Sequence, residues 1–504
     1  MSAFAPVAPA VVPAHGAIRV GRNTAFRVGA QAVSAVINIA GMVLLGGQLS
    51  AAGYGEYVFW YALVPLFASV ADLGAGVIVT RAIAREPRDA RRLLGDALLV
   101  RAAVAAVLLV LIAGLSWPLL GAGRTVLVLV VAAAALLDFS QDAAVWACRA
   151  YERLDTEAVL LLVSQLAWLA GIAVGVRLGA PLPVLIGTAA AAFALRAVAG
   201  AVWLARRDLL PSFVVDRARL VALVAEGWPI GLSLLLVVFY GRAGVFALQA
   251  WSSASEVACF NVAYMLAQPL GFLASALAMA VFPSVARLGA ADRGQLQRTL
   301  RAANKYQWLL SLPLAAGLSL LAARIVPLFF HDGAGFAHAA DGLAIVALGL
   351  PFVFFNLQSR YLLAAFGEQR VYLQAVAAGL VVNVVGCALS VRALGATGAA
   401  WTFVLAEVVV FAVCQHATRA RAGSTGLIAE AVRPALAAAV MALAVGALSR
   451  APLAAAVAAG VLVYAAGLGI SGAWGRSEAQ LVRNVIASFQ PSRAPHVSAG
   501  RGQS

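Results

Sequence analysis

The chain has little charge, a single lysine and few cysteines, and each scarcity excludes something. Charged residues make up 11% of its 504 positions, against about 25% in ordinary soluble domains. Hydrophobic residues make up 63%, and the mean hydropathy is +0.93. One globular core cannot bury that much apolar surface, so the expected class is a polytopic, all-α membrane protein. The four cysteines, Cys148, Cys259, Cys387 and Cys414, lie in or beside apolar segments. Their spacing suits neither a metal site nor a disulfide framework. No G-x-x-x-x-G-K-[ST] loop occurs, which argues against an ATP-driven pump. Loops are short: the longest on one side, 331–342, has 12 residues. A membrane glycosyltransferase needs catalytic acids and usually a sizeable loop or domain, and there is no room for one here. The opening MSAFAPVAPAVVPAHGAIRV lacks a basic region ahead of an apolar core and is broken by prolines. It reads as a short tail, not a secretory signal.

Basic charge is what remains in excess. The net charge is +15, which in a soluble chain would raise nucleic acid as a partner. Here the charges sit between apolar segments, so topology and anionic lipid explain them and no nucleic acid is expected. Fourteen apolar windows of about 20 residues, from 28–48 to 453–474, are long enough to cross hydrocarbon. The last two, 431–449 and 453–474, are Ala-rich and closely spaced. With both termini in the cytoplasm, the inner side carries 27 of the 36 basic residues, the outer side four, and five lie within spans. The positive-inside rule therefore places both termini in the cytoplasm. Two segments, 287–304, with Leu288, Leu296 and Leu300 among arginines, and 478–490, with Leu481, Val485, Ile486 and Phe489, are amphipathic and expected to lie along the inner interface.

An internal repeat organises the spans. LSAAGYGEYVFWYAL, after the first window, faintly resembles SSASEVACFNVAYML, after the seventh, at an offset of 203 residues, with a chance likeness of two apolar hairpins as the alternative. Repeats in the same orientation are related by an axis along the membrane normal, and the substrate lies between them. The expected organisation is a tail (1–27), an N-lobe of six helices (28–204), a linker (205–226), a C-lobe (227–391, completed by 398–417), two extra helices (431–474) and a tail (475–504). The lobes would face a central cavity.

The charged residues inside the spans are the candidate site. Arg242 stands in SLLLVVFYGRAGVFALQAW, about eight residues from a helix end. A guanidinium at the centre of a spanning helix costs roughly 2.5–3.5 kcal/mol even on lenient scales. Arg196 is similarly deep. Both are expected to face a cavity, with an ion pair to a carboxylate as the competing arrangement. Arg101, Arg324 and Arg360 lie near helix ends, where snorkelling suffices. Asp72, Asp138, Asp142 and Glu407 are deep carboxylates. Asp138 and Asp142, four apart, share one helix face. These four are expected to serve ion coupling, of a proton or sodium, or ion pairing with the arginines. No metal site or cofactor is expected.

The hairpin LSAAGYGEYVFWYALVPLFASVADLGAGVIVTRAIAR, the inner loop CRAYERLDTEA and the segment FYGRAGVFALQAWSSASEVACFNVAYMLAQPL resemble polysaccharide-biosynthesis flippases of the Wzx type. These belong to the superfamily that also holds multidrug antiporters and lipid II flippases. The resemblance is to hairpin signatures, none of them catalytic, and implies a transporter, not an enzyme. It implies movement of an undecaprenyl-pyrophosphate-linked oligosaccharide, an O-antigen or exopolysaccharide repeat unit, from the inner to the outer leaflet of the bacterial inner membrane. It also implies polysaccharide polymerase and chain-length proteins as partners. Arg242, Arg196 and Arg27 would then meet the pyrophosphate, because guanidinium offers a planar fork to phosphoryl oxygens. One departure stands out: family members often carry Asp two residues after the seventh-helix arginine, whereas this chain has Gly244. A cation-coupled multidrug antiporter and a lipid II flippase are the alternatives.

Overall fold

A computed structural model describes residues 14–140, 142–288, 292–330, 335, 336 and 338–472. Among these the chain is helical, with no strand. Apolar runs with no water to satisfy their backbone groups must form helices that satisfy themselves. The elements are α1 (Ala14–Gly46), α2 (Ala51–Asp72), α3 (Ala75–Arg85), α4 (Ala90–Ser140), α5 (Asp142–Ala150), α6 (Leu154–Arg177), α7 (Leu182–Ala205), α8 (Arg217–Trp251), α9 (Ala254–Ala267), α10 (Gly271–Leu288), α11 (Arg293–Phe329), α12 (Ala339–Leu348), α13 (Leu350–Ala365), α14 (Gln369–Ala422), α15 (Val432–Ala447) and α16 (Leu453–Ile470).

Among the described residues, ten helical stretches are long and apolar enough to cross a membrane, or twelve when the bent pairs α2–α3 and α12–α13 each count as one span. The sequence windows number fourteen. The difference has local causes: windows 371–391 and 398–417 fall in one element, α14, whose backbone breaks at Gly395 with φ 54°. The window 431–449 falls on α15, which has only 16 residues.

The chain divides into two compact units, Met1–Leu427 and Ile428–Ser504. In the second, α15 and α16 pack on each other, and Gly460 and Gly467 allow close approach to Val445 and Ala437. In the first, α1, α6, α7, α4 and α2 pack in succession, and α8, α14, α13, α10, α11, α12 and α9 form a second set. The sets meet where α2 lies on α8 and α9, and where α3 lies on α8.

The 203-residue repeat is visible in this meeting. Ser50 caps α2 by accepting from the Gly53 amide at 3.2 Å, and Ser253, its counterpart, caps α9 by accepting from the Glu256 amide at 3.3 Å. The capped helices pack on each other. Asn261 donates to the Tyr54 hydroxyl at 3.1 Å, and Tyr54 Oη lies 3.5 Å from Met265 Sδ. Tyr54 also stands edge-on to Phe330 and Phe336. Both tyrosine and rings are fully buried or nearly so, so this end of the meeting is a continuous apolar core.

The other end meets backbone to backbone. Leu73 and Gly74, with φ 44° and 74°, end α2 and turn the chain by 52° into α3. The elbow rests on Gly227 and Gly231 of α8. A Cβ on Gly231 would stand 2.6 Å from the Leu73 backbone. Gly231→Ala is therefore expected to destabilise the protein by about 1–3 kcal/mol through overpacking. Gly187→Ala meets nothing within 4 Å and is expected to be neutral or stabilising by up to about 1 kcal/mol. Thermal unfolding in detergent distinguishes the two.

The segment 287–304 departs from its expected place along the interface. From Arg293 it is the first turns of α11, a helix of 37 residues. Leu296 and Leu300 are buried against Val285, Leu362 and Ala422. Apolar spacing on a charged helix fits an interface or a protein groove equally well, and neighbouring helices supplied the groove. The segment 478–490 lies outside the described residues.

Candidate functional site

Five arginines stand within the spans, and four of them, Arg101, Arg196, Arg242 and Arg360, differ in what they face. Arg101 of α4 is 2% exposed. Its Nη2 lies 3.2 Å from Asp72 Oδ1 at the α2 elbow, and its Nη1 lies 2.9 Å from Asp142 Oδ2 at the start of α5. The guanidinium also covers the Trp146 ring at 4.9 Å. Arg101 therefore does not snorkel. Its apolar window begins only about five residues before it, but α4 begins at Ala90, and Asp72 of α2 and Asp142 of α5 close over the side chain. Asp72 and Asp142 pair with this arginine and not with Arg196 or Arg242.

Among the described residues, charged side chains within the spans line three cavities. The largest, about 710 Å³, lies between the two helix sets. Asp72, Arg81, Arg101, Asp138, Asp142 and Arg149 line it from α2–α5, and Leu234 and Arg360 from α8 and α13. A lateral cavity of about 310 Å³ shares Asp138, Asp142 and Arg149 with it and adds Gln31, Glu157 and Arg196. Arg149 there binds Glu157 Oε1 through Nη2 at 2.7 Å. The third, about 420 Å³, shares Pro65 and Arg360 with the central one and lies among α8, α9, α13 and α14. Arg242, Tyr240, Tyr264, Asn356, Tyr372 and Glu407 line it.

Arg242 and Arg360 differ from Arg101 in having no ion-pair partner among the described residues. The position two beyond Arg242, where a counter-ion would sit, is the buried Gly244, packed against Phe260. Arg242 acts electrostatically on Tyr61 of α2 and on Tyr264 of α9, so it stands where the sets meet. Arg360 is exposed and lines two cavities at once. Sequence position gave it no distinction, because a place near a helix end does not tell whether that end opens on lipid headgroups or on a cavity.

Glu407 is 6% exposed and bound by neutral donors alone. Tyr240 Oη donates to Oε1 at 2.7 Å, and Asn356 Nδ2 donates to Oε2 at 2.7 Å. Asp138 lines the central and lateral cavities beside Asp142. Arg196 lines the lateral cavity with Nε buried and unbonded among the described residues. The side chain of Arg27 lies outside the described residues. Among the described residues no cluster of His, Cys, Asp and Glu could hold a metal ion. The arrangement thus brings Arg242 and Arg360 to one cavity and Arg196 to another, and leaves Glu407 within reach of the first.

Comparison with known proteins follows the same lines. Among solved structures the chain is similar to a lipid II flippase, MurJ, in an inward closed conformation, at a TM-score of 0.74 and 13% identity, covering 91% of this chain and 98% of that one. It is similar to an inward-facing multidrug resistance MATE family transporter of the MOP superfamily, at a TM-score of 0.60 and 16% identity, covering 80% and 99%. It is also similar to a MOP superfamily transporter from Pyrococcus furiosus described as having a binding pocket of reversed polarity, at a TM-score of 0.57 and 16% identity, covering 81% and 96%. At these identities the likeness establishes the fold. No curated protein matches the sequence. The MatE family model matches residues 229–389. The model described as polysaccharide biosynthesis protein matches residues 20–288, more than half of the chain. By this match over more than half of its length, the chain belongs to the polysaccharide biosynthesis protein family.

Proposed function

We propose that the protein moves an undecaprenyl-pyrophosphate-linked oligosaccharide, a repeat unit of O-antigen or exopolysaccharide, from the inner to the outer leaflet of a bacterial inner membrane. The observation that carries this reading is the pair Arg242 and Arg360, which line one cavity without an ion pair to any carboxylate among the described residues, the Glu407 carboxylate of its wall being held by Tyr240 and Asn356. A polyprenyl pyrophosphate must take several negative charges past hydrocarbon. Guanidinium keeps its charge at any relevant pH, is weakly hydrated for a cation and binds phosphoryl oxygens in a bidentate fork. Such a cavity lowers the barrier that the lipid core imposes.

The arrangement also fits transport by alternating access. The helix sets meet through an apolar core at one end and through a backbone contact at the other. Opening either end exposes the cavity between them. Arg196 serves as a second anion contact in the lateral cavity, and Asp138 beside it is the candidate for cation coupling. The basic clusters support a cytoplasmic position for both termini, and polymerase and chain-length proteins would receive the product. The work is transport, with no bond made or broken.

Complementation tests the reading. In a strain deleted for the gene, wild type is expected to restore surface glycan. Arg242→Ala and Arg196→Ala are expected to leave lipid-linked repeat units on the inner leaflet. Normal surface glycan from both variants would remove the arginine mechanism. Intact glycan with new sensitivity to cationic dyes would favour the multidrug antiporter to which the MatE match points.

A further inference from the structure

The cavity beside Arg242 and Arg360 is larger and differently furnished than a pyrophosphate requires. Its far wall is aromatic. Tyr240, Tyr264, Tyr372 and Phe403 line it, with Phe403 edge-on to Tyr264 at 5.7 Å. Among the described residues the hydroxyls of Tyr264 and Tyr372 have no hydrogen-bond partner, and Gln268 is exposed into the same space. These are adaptable donors and acceptors on rigid rings. Aromatic faces with a few placed polar groups are the furniture of a small-molecule pocket, and about 420 Å³ lies within the range of such pockets. A pyranose ring presents the complement, an apolar C–H face with hydroxyls around its rim.

Charge divides this cavity into two ends. Arg360 is shared with the central cavity, and Arg242 acts on Tyr61 across the meeting of the helix sets. Both cations therefore mark the mouth. Glu407 belongs to the wall behind them, on α14, fastened by Tyr240 and Asn356. Neither fastening group is charged, and among the described residues no arginine forms an ion pair with the carboxylate. A second carboxylate brought to the depth of the cavity would face it across a low-dielectric space.

We propose that this cavity seats the sugar next to the pyrophosphate, and that Glu407 makes the seat selective for a neutral pyranose over a hexuronate. The inference rests on the pyrophosphate reading above and adds a second contact to it: phosphates at the arginine mouth, first sugar among the tyrosines. Glu407 acts here as a specificity-determining residue.

The test uses the full chain in lipid nanodiscs and three water-soluble probes. These are citronellyl diphosphate alone, citronellyl diphosphate carrying N-acetylglucosamine, and citronellyl diphosphate carrying glucuronic acid. The readout is the ratio of affinities within each protein. Wild type is expected to bind the N-acetylglucosamine probe about tenfold or more above the glucuronate probe, and Glu407→Gln to narrow that ratio to about threefold or less. Tyr264→Phe and Tyr372→Phe keep the rings and remove the phenols, so they are expected to weaken the N-acetylglucosamine probe about three- to tenfold relative to bare diphosphate. A wild type that does not discriminate, or a Glu407→Gln protein that discriminates fully, overturns the sugar seat. So do phenylalanine variants that leave the ratio to bare diphosphate unmoved. Bare diphosphate bound in an Arg242-dependent way in those cases leaves the pyrophosphate reading standing. If none of the three probes binds, both readings fall.

Discussion

Arg101→Ala is expected to cost about 3–5 kcal/mol, the range for removing one partner of a buried charge cluster. The loss is expected toward the lower end, because Asp72 and Asp142 keep 16% and 29% of their side-chain surface. The reason is what the substitution leaves behind. Two carboxylates lie near one another at the α2 elbow and the start of α5, and the guanidinium is the cation placed between them. Without it they repel, and Trp146 loses the cation over its ring. The unfolding free energy in mixed detergent micelles reports the loss. Adding Asp72→Asn and Asp142→Asn to Arg101→Ala is expected to recover most of it, since neutral amides do not repel. A single variant as stable as wild type, or a triple variant no better than the single, would show that the cluster does not hold the elbow.

The double variant Arg242→Ala with Arg360→Ala is expected to lower the affinity for citronellyl diphosphate by about 10²–10⁴. Each guanidinium–phosphate contact is a hydrogen bond to a charged group, worth about 1.5–3 kcal/mol. Each single variant is then expected to lose about tenfold to a hundredfold. Because both side chains line one cavity, the losses need not add, and the double variant measures their coupling. Lysine at either position keeps the charge but not the fork, so Arg242→Lys is expected to fall between wild type and alanine. Equal affinity in wild type and the double variant would show that the phosphates bind elsewhere.

The two arginine predictions differ in kind although both residues lie in apolar helices. Arg101 is neutralised within the protein, and its loss is a loss of stability. Arg242 and Arg360 are not neutralised by described residues, and their loss is a loss of binding. Arg101 lies about five residues from the edge of its apolar window and Arg242 about eight, so depth along the chain pointed the other way for Arg101, although α4 itself begins at Ala90. It is more fully buried than the deeper residue because two neighbouring elements fold across it.

The sequence by itself determined the class, the helices and the repeat. Apolar runs of spanning length leave the backbone no alternative to helices that satisfy their own hydrogen bonds. The 203-residue offset placed a serine ahead of each of two helices, and Ser50 and Ser253 both cap. It also marked Arg242 as anomalous, since the cost of a deep guanidinium is local and legible. Which charges meet which was decided by tertiary structure alone. Asp72, Arg101 and Asp142 come from three elements, Tyr240, Asn356 and Glu407 from three others, and Arg360 earns its place only because α13 turns its end toward two cavities. Electrostatic partnership in a low-dielectric interior depends on distance through space and on what covers the pair. Neither quantity is written along the chain.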